Sequence, residues 1–255
     1  MSSLVSTALR IAARRAISGA TFAGQRVHDS AISPIDHMVE TGQAEPFIVV
    51  SSEDETALIK TRDVTGGDRS IDLVIEVAIA HPVTANADGG SEIVIPATDA
   101  GLELSLSLIV RQVYRALFEQ RGNVWADVFA RFVLNVEKAT NKRGVGNRDG
   151  ARFAARQLVL TLDTLHEPPF GHVPASGEPW GDFLAAMEAD DELATLAPLV
   201  RQSITGTPTI EDWDRTRSDL GLTEVGSAHI GLRGAGGLIS EEPAIAQDGT
   251  FEDMP

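Results

Sequence analysis

Six histidines are the first candidates for chemistry in this chain: His28, His37, His81, His166, His172 and His229. Only His166 and His172 stand near each other, with Glu167 beside the first. A metalloprotease zinc helix needs two histidines four residues apart, so that both ring nitrogens reach one metal. Here the second follows at the sixth position, and Pro168-Pro169 between them break any helix. The pair predicts neither a metal site nor another cofactor. Cysteine is absent, which removes thiol nucleophiles, disulfides and sulfur-ligated metals together.

Glycines cluster at Gly144, Gly146 and Gly150 and again at Gly231, Gly234, Gly236 and Gly237. A dinucleotide loop sets its glycines between a strand and a helix, so that the helix N-terminus meets the phosphates. The first cluster precedes a strand and the second an acidic stretch, so both read as loops. No GK[ST] phosphate loop and no G-x-S-x-G nucleophile turn occurs. The acidic runs Glu53-Asp54-Glu55 and Asp190-Asp191-Glu192 read as solvated surface rather than paired catalytic acids, which need two distinct environments. No catalytic set emerges, and the chain is expected not to be an enzyme.

The formal net charge is −16 over 255 residues. Tight duplex binding rests on cations meeting phosphates, so such a balance excludes a DNA-binding surface of the usual kind. It suits plain solubility, and it equally suits a passage through which DNA slides without sticking. One basic group stands against this background: Lys138, Lys142, Arg143, Arg148, Arg152 and Arg156. Two readings stay open. Lys138, Lys142, Arg143 and Arg148 touch an acidic neighbouring subunit or passing phosphates, or the group is a solvated loop balancing local acids.

The elements that must carry these residues follow from periodicity. Val5, Leu9, Ala12 and Ala16 share one helical face, predicting a helix from Ser3 to about Gly19. Its arginines interrupt the apolar residues, so neither a leader nor a bilayer-spanning run is expected. Arg26 to Ser30 and Phe47 to Val50 read as strands, the second buried on both faces, with Glu53-Asp54-Glu55 a loop after it. Lys60 to Ser70 reads as a hairpin arm. Ile71, Leu73, Ile75, Val77 and Ile79 alternate with Asp72 and Glu76 in the clearest strand, which stops at Pro82. Leu102 to Leu117 fits both periods, and its length favours a helix from Thr98 to Gln120. Asn123 is placed to cap a further helix bearing Trp125, Phe129, Phe132 and Val136. Lys138 to Gly150 reads as a polar loop, and Phe153 to Leu165 as another strand. Beyond a proline- and glycine-rich connector come helices at Trp180 to Met187, Asp191 to Ile204 (broken at Pro198) and Thr209 to Leu220. A last strand at Val225 to Leu232 and an acidic tail close the chain. Without regular βαβ alternation, the fold class is α+β: a mixed or antiparallel sheet flanked by helices.

The segment Gly19-Ala20-Thr21-Phe22-Ala23-Gly24-Gln25-Arg26-Val27-His28-Asp29-Ser30-Ala31-Ile32-Ser33-Pro34-Ile35-Asp36 resembles the opening of phage tail terminator proteins. The likeness lies in a first helix, a glycine-containing turn, a strand of the form R-V-x-D-S and a proline–acid turn. It continues through Phe47 to Glu55 and Lys60 to Ala80, covering about a third of the chain. The resemblance implies a ring-forming subunit, usually a homohexamer, without catalytic residues. Such a ring caps the tail tube and meets the tube protein and the head connector. Genome DNA passes through it, in the virion, with no membrane contact.

This chain is longer than the usual module. The resemblance divides it into a terminator-like domain over 1–172 with a helical insertion near 123–150, a helical C-terminal extension over 173–233 and an acidic tail over 234–255. The extension leaves a head-side adaptor or stopper ring as an alternative. Two further classes stay open: a small-molecule enzyme using His166, Glu167 and His172, and a monomeric binding module.

Overall fold

One strand sets the centre of the molecule. Ile71, Leu73, Ile75, Val77 and Ile79 are wholly buried on one face, and Val74 and Ala78 are buried on the other as well, while Glu76 is exposed. In the computed structural model, which describes residues 3–30, 45–60, 63–82, 99–119, 122–148 and 151–206, they lie on β3 (Asp68–Pro82). With β1 (Val27–Asp29), β2 (Phe47–Leu58), β4 (Val133–Arg148) and β5 (Ala151–Thr164), it forms a five-stranded sheet in the order β1-β2-β3-β5-β4. β1 runs parallel to β2, and every other neighbouring pair is antiparallel. The sheet is therefore mixed and the fold α+β.

Helices cover the face that carries the odd-numbered residues of β3. The first, α1 (Leu4–Ile17), is capped by the Ser3 side chain, which accepts the Ser6 N–H. It buries Val5, Leu9, Ala12 and Ala16 toward β2 and β3. Next, α2 (Asp99–Phe118) buries Leu102, Leu106, Ile109, Val113 and Leu117 against β3 and β5. Asn123 caps α3 (Val124–Phe132) by accepting the Trp125 and Ala126 N–H groups, as the sequence predicts. Two short helices follow the sheet, α4 (Pro179–Glu188) and α5 (Ala197–Thr205). The helix expected over Asp191 to Ile204 begins only at Ala197 after turns over 191–196, with Pro198 in its first turn, where a missing N–H costs nothing.

The C-terminal helices share one apolar core with the sheet. Phe132, at the end of α3, meets Trp180 edge-on at 4.9 Å and Phe183 at 5.9 Å between ring centroids. Arg15 of α1 binds Asp190 at 2.7 Å and Glu192 at 2.8 Å, tying the two ends of the described chain together. Buried aromatic area is the larger of these contributions, since Glu192 is exposed and the desolvation of the largely buried Arg15–Asp190 pair offsets much of its attraction.

Two segments of the sheet differ from their sequence reading. Lys138 to Arg148 is not a loop but most of β4, and the helical part of the 123–150 segment is confined to α3. Glu53, Asp54 and Glu55 are not a loop but part of β2, at a bulge between Ser52 and Glu55. Glu55 turns inward there, accepting from Arg69 and from the Ser3 N–H. Gly67 closes the β2–β3 hairpin at φ +143°, where an added Cβ would stand 2.8 Å from the Leu58 carbonyl oxygen. The expected helix at Thr209 to Leu220, the strand at Val225 to Leu232, the acidic tail, the Ser33-Pro34 turn, His37, His229 and the second glycine cluster lie outside the described residues.

Candidate functional site

Register places each residue of the basic group. Leu158, Leu160 and Leu162 of β5 are wholly buried beneath the helices. On β4, Arg143 pairs with Arg156, while Lys138 and Lys142 pair with Thr161 and Gln157. Arg143 and Arg156 thus share the helix-covered face, and the two lysines lie on the other. Both arginines converge on Glu103 of α2, Arg156 at 2.6 Å. Burial raises the Glu103 pKa, but the hydrogen bonds and charges of Arg143 and Arg156 outweigh it and hold the carboxyl below its ordinary 4.5. The expected cluster is therefore divided: Arg143 is an intrachain clamp between β4 and α2. Arg148 and Arg152 take part in the β4–β5 ladder through their backbones, and their side chains lie outside the described residues.

Lys138 and Lys142 are exposed and form no ion pair among the described residues. They sit on a strand whose only partner in the described sheet is β5. The outer edge of β4 thus presents backbone N–H and C=O groups without a ladder partner among the described residues. Leu134, near the start of the strand, is 63% exposed.

The opposite margin of the sheet is also open in part. β1 pairs only with Ile48, Val49 and Val50, leaving β2 from Ser51 to Leu58 without an outer strand among the described residues. Glu53 and Asp54 sit there, exposed and without an ion pair among the described residues. Leu58 and Ile59 are exposed at its far end. The acidic run was visible in the sequence, but reading it as a loop concealed that it borders a sheet.

The histidines are not brought together. The His166 Nδ1–H donates to the Gly67 carbonyl, and His172 Nε2 lies 2.9 Å from Glu178 Oε2. Glu167 accepts the Leu4 and Val5 N–H groups at the start of α1. Each of the three thus has a structural partner of its own. Among the described residues no group of three potential ligands is placed to hold a metal, and no helix is long and apolar enough to cross a membrane.

Among the described residues the geometry offers two strand edges without an outer partner: β4, where Lys138 and Lys142 stand beside Glu137, and β2, where Glu53 and Asp54 lie. No protein-family model matches the chain, and no curated protein matches it.

Proposed function

We propose that this chain is a structural subunit of a long-tailed phage, a ring-former of the tail-terminator kind. The order α1, glycine turn, β1, β2, hairpin and β3 supports the reading, because over the described residues it follows the order of elements on which the resemblance rests. Gly19 and Gly24, both at positive φ, turn the chain between α1 and β1. The strand Val27–Asp29 follows, then the apolar run Phe47 to Val50, then the alternating β3.

In this reading identical subunits close head to tail into a homomeric ring, a hexamer, at the end of the tail tube. One side of the ring meets the tube protein and the other the head connector. A charge of −16 on each subunit keeps genome DNA from adhering while it passes, since adhesion needs cation–phosphate contacts. The protein acts in the virion after assembly in the host, and its work is binding and closure rather than chemistry.

Mixing the purified protein with tail tubes and imaging by negative stain tests the role. Rings seated at tube ends are expected. A chain that stays monomeric and leaves tube ends bare would overturn the proposal.

A further inference from the structure

The connector after the sheet carries a turn that the core does not use. Pro168 and Pro174 are buried, while Pro169, Phe170, Gly171 and Val173 between them are exposed. Phe170 is 80% exposed and Val173 73%. Single exposed apolar residues are common on protein surfaces, so exposure alone says little. The backbone says more. The His172 N–H donates to the Pro169 carbonyl at 3.0 Å with Gly171 at φ +82°, a turn of type II form with Phe170 at its tip. The Gly171 N–H donates to the Ile204 carbonyl of α5, and His172 Nε2 stands 2.9 Å from Glu178 Oε2. The knob is thus held in one shape by the fold itself, which leaves little ordering entropy to oppose a contact through it.

A second exposed group lies at the other end of the sheet. On α2, Leu104, Leu108, Arg111 and Arg115 follow one another at four and three residues, so they form one stripe, and all four are exposed. Phe22, 51% exposed, stands beside them, since its N–H donates to Gln112 Oε1. Arg111 and Arg115 form no ion pair among the described residues. Glu103, next to Leu104, is bound to Arg156 of β5, whereas the connector leaves the sheet after Thr164 of the same strand. From Arg156 to Thr164 is eight steps along the strand, about 26 Å at roughly 3.3 Å per residue. The knob and the apolar end of the stripe therefore lie toward opposite ends of the sheet.

We infer that Phe170 and Val173 of one copy seat against Leu104, Leu108 and Phe22 of the next, with the Phe170 ring under Arg111. The inference rests on the ring reading and names the two surfaces that join its subunits. Charge selects the pairing. Residues 165–178 hold Glu167 and Glu178 and no lysine or arginine, whereas the stripe holds two arginines, with Glu119 one turn past the second. In a chain of net charge −16, copies repel one another at most faces, and here opposite signs meet. Two stripes set face to face bring four arginines together instead. An arginine over an aromatic ring adds a cation–π attraction that strengthens as water leaves. Aromatic anchors of this kind commonly dominate the energy of an interface. Because the two surfaces differ, the contact is heterologous: each series of copies keeps one knob and one stripe unfilled until it closes into a ring.

Two variants of the full chain test this. Phe170→Ser with Val173→Ser removes the knob, Leu104→Glu with Arg111→Glu removes the stripe, and circular dichroism verifies that each is folded. By sedimentation velocity, each variant alone is expected to show the apparent dissociation constant raised at least about tenfold. An equimolar mixture, followed by native mass spectrometry over a range of concentrations, is expected to give one-to-one heterodimers as the largest main species. The intact knob of one variant fills the intact stripe of the other, and the series of contacts ends there. Either variant associating as tightly as the wild type, or a mixture that stays monomeric, would overturn this interface while leaving the ring reading in place. So would variants that assemble like the wild type but no longer seat on tail tubes, a result that assigns the knob to the tube protein. A wild-type chain that is monomeric at every concentration would remove the ring reading, and this inference with it.

Discussion

Replacing Phe132 by Ala probes whether the molecule has one core or two. The ring is wholly buried, meets Trp180 at 4.9 Å and Phe183 at 5.9 Å, and joins α3 to α4 across the base of the sheet. Removing such a side chain costs about 3–5 kcal/mol, a large part of the roughly 5–15 kcal/mol that holds a domain folded. The expected fall in Tm is roughly 6–20 °C, at about 2–4 °C per kcal/mol for a chain of this size. Thermal melts followed by tryptophan fluorescence report on Trp125, Trp180 and Trp213, and far-ultraviolet circular dichroism reports on the sheet and helices. Because α4 and α5 share the apolar core of the sheet, both signals should shift together in one transition. A variant whose fluorescence melts early while the dichroism melts at the wild-type temperature would refute a common core. It would make the region after residue 173 an independent unit.

Two other substitutions test the sheet and its clamp. Ile75→Asp buries an unpaired carboxylate among apolar neighbours and should abolish the folded state, whereas Glu76→Gln, on the opposite face, should change stability by no more than about 0.5 kcal/mol. Thermal melts in the reverse order would show that the facing of β3 is wrong. Glu103→Gln tests the clamp by pH. The folded pKa of Glu103 lies below its ordinary 4.5, so its contribution is complete above that pH and is lost as pH falls through the folded value. The difference in Tm between wild type and variant should be present at neutral pH and shrink under acid; a difference that grows on acidification would contradict the clamp.

Much of the fold was legible because burial on one face imposes a period. Ile71 to Ile79 alternate because the helices lie on one side, and α1 and α2 show their stripes for the same reason. β4 was not legible, since an edge strand is exposed along most of its length and needs no apolar alternation. Lys138, Asn141, Lys142 and Arg143 are all exposed, and the glycines at 144 and 146 read as a loop. Glu53 and Asp54 were misread for the same reason, being bulged residues on an open edge. Within the candidate site, Lys138 and Lys142 were found from charge alone. The pairing of Arg143 with Glu103 was not legible, because the two are distant in sequence and only the packing of α2 on β5 brings them together.

The central claim is that the chain closes on itself as a ring. Native mass spectrometry of the wild-type protein over a range of concentrations tests it most directly. The account predicts a single closed assembly, six times the chain mass, persisting on dilution to the limit set by its affinity. A monodisperse monomer at all concentrations, also in the presence of tail tubes, would contradict it.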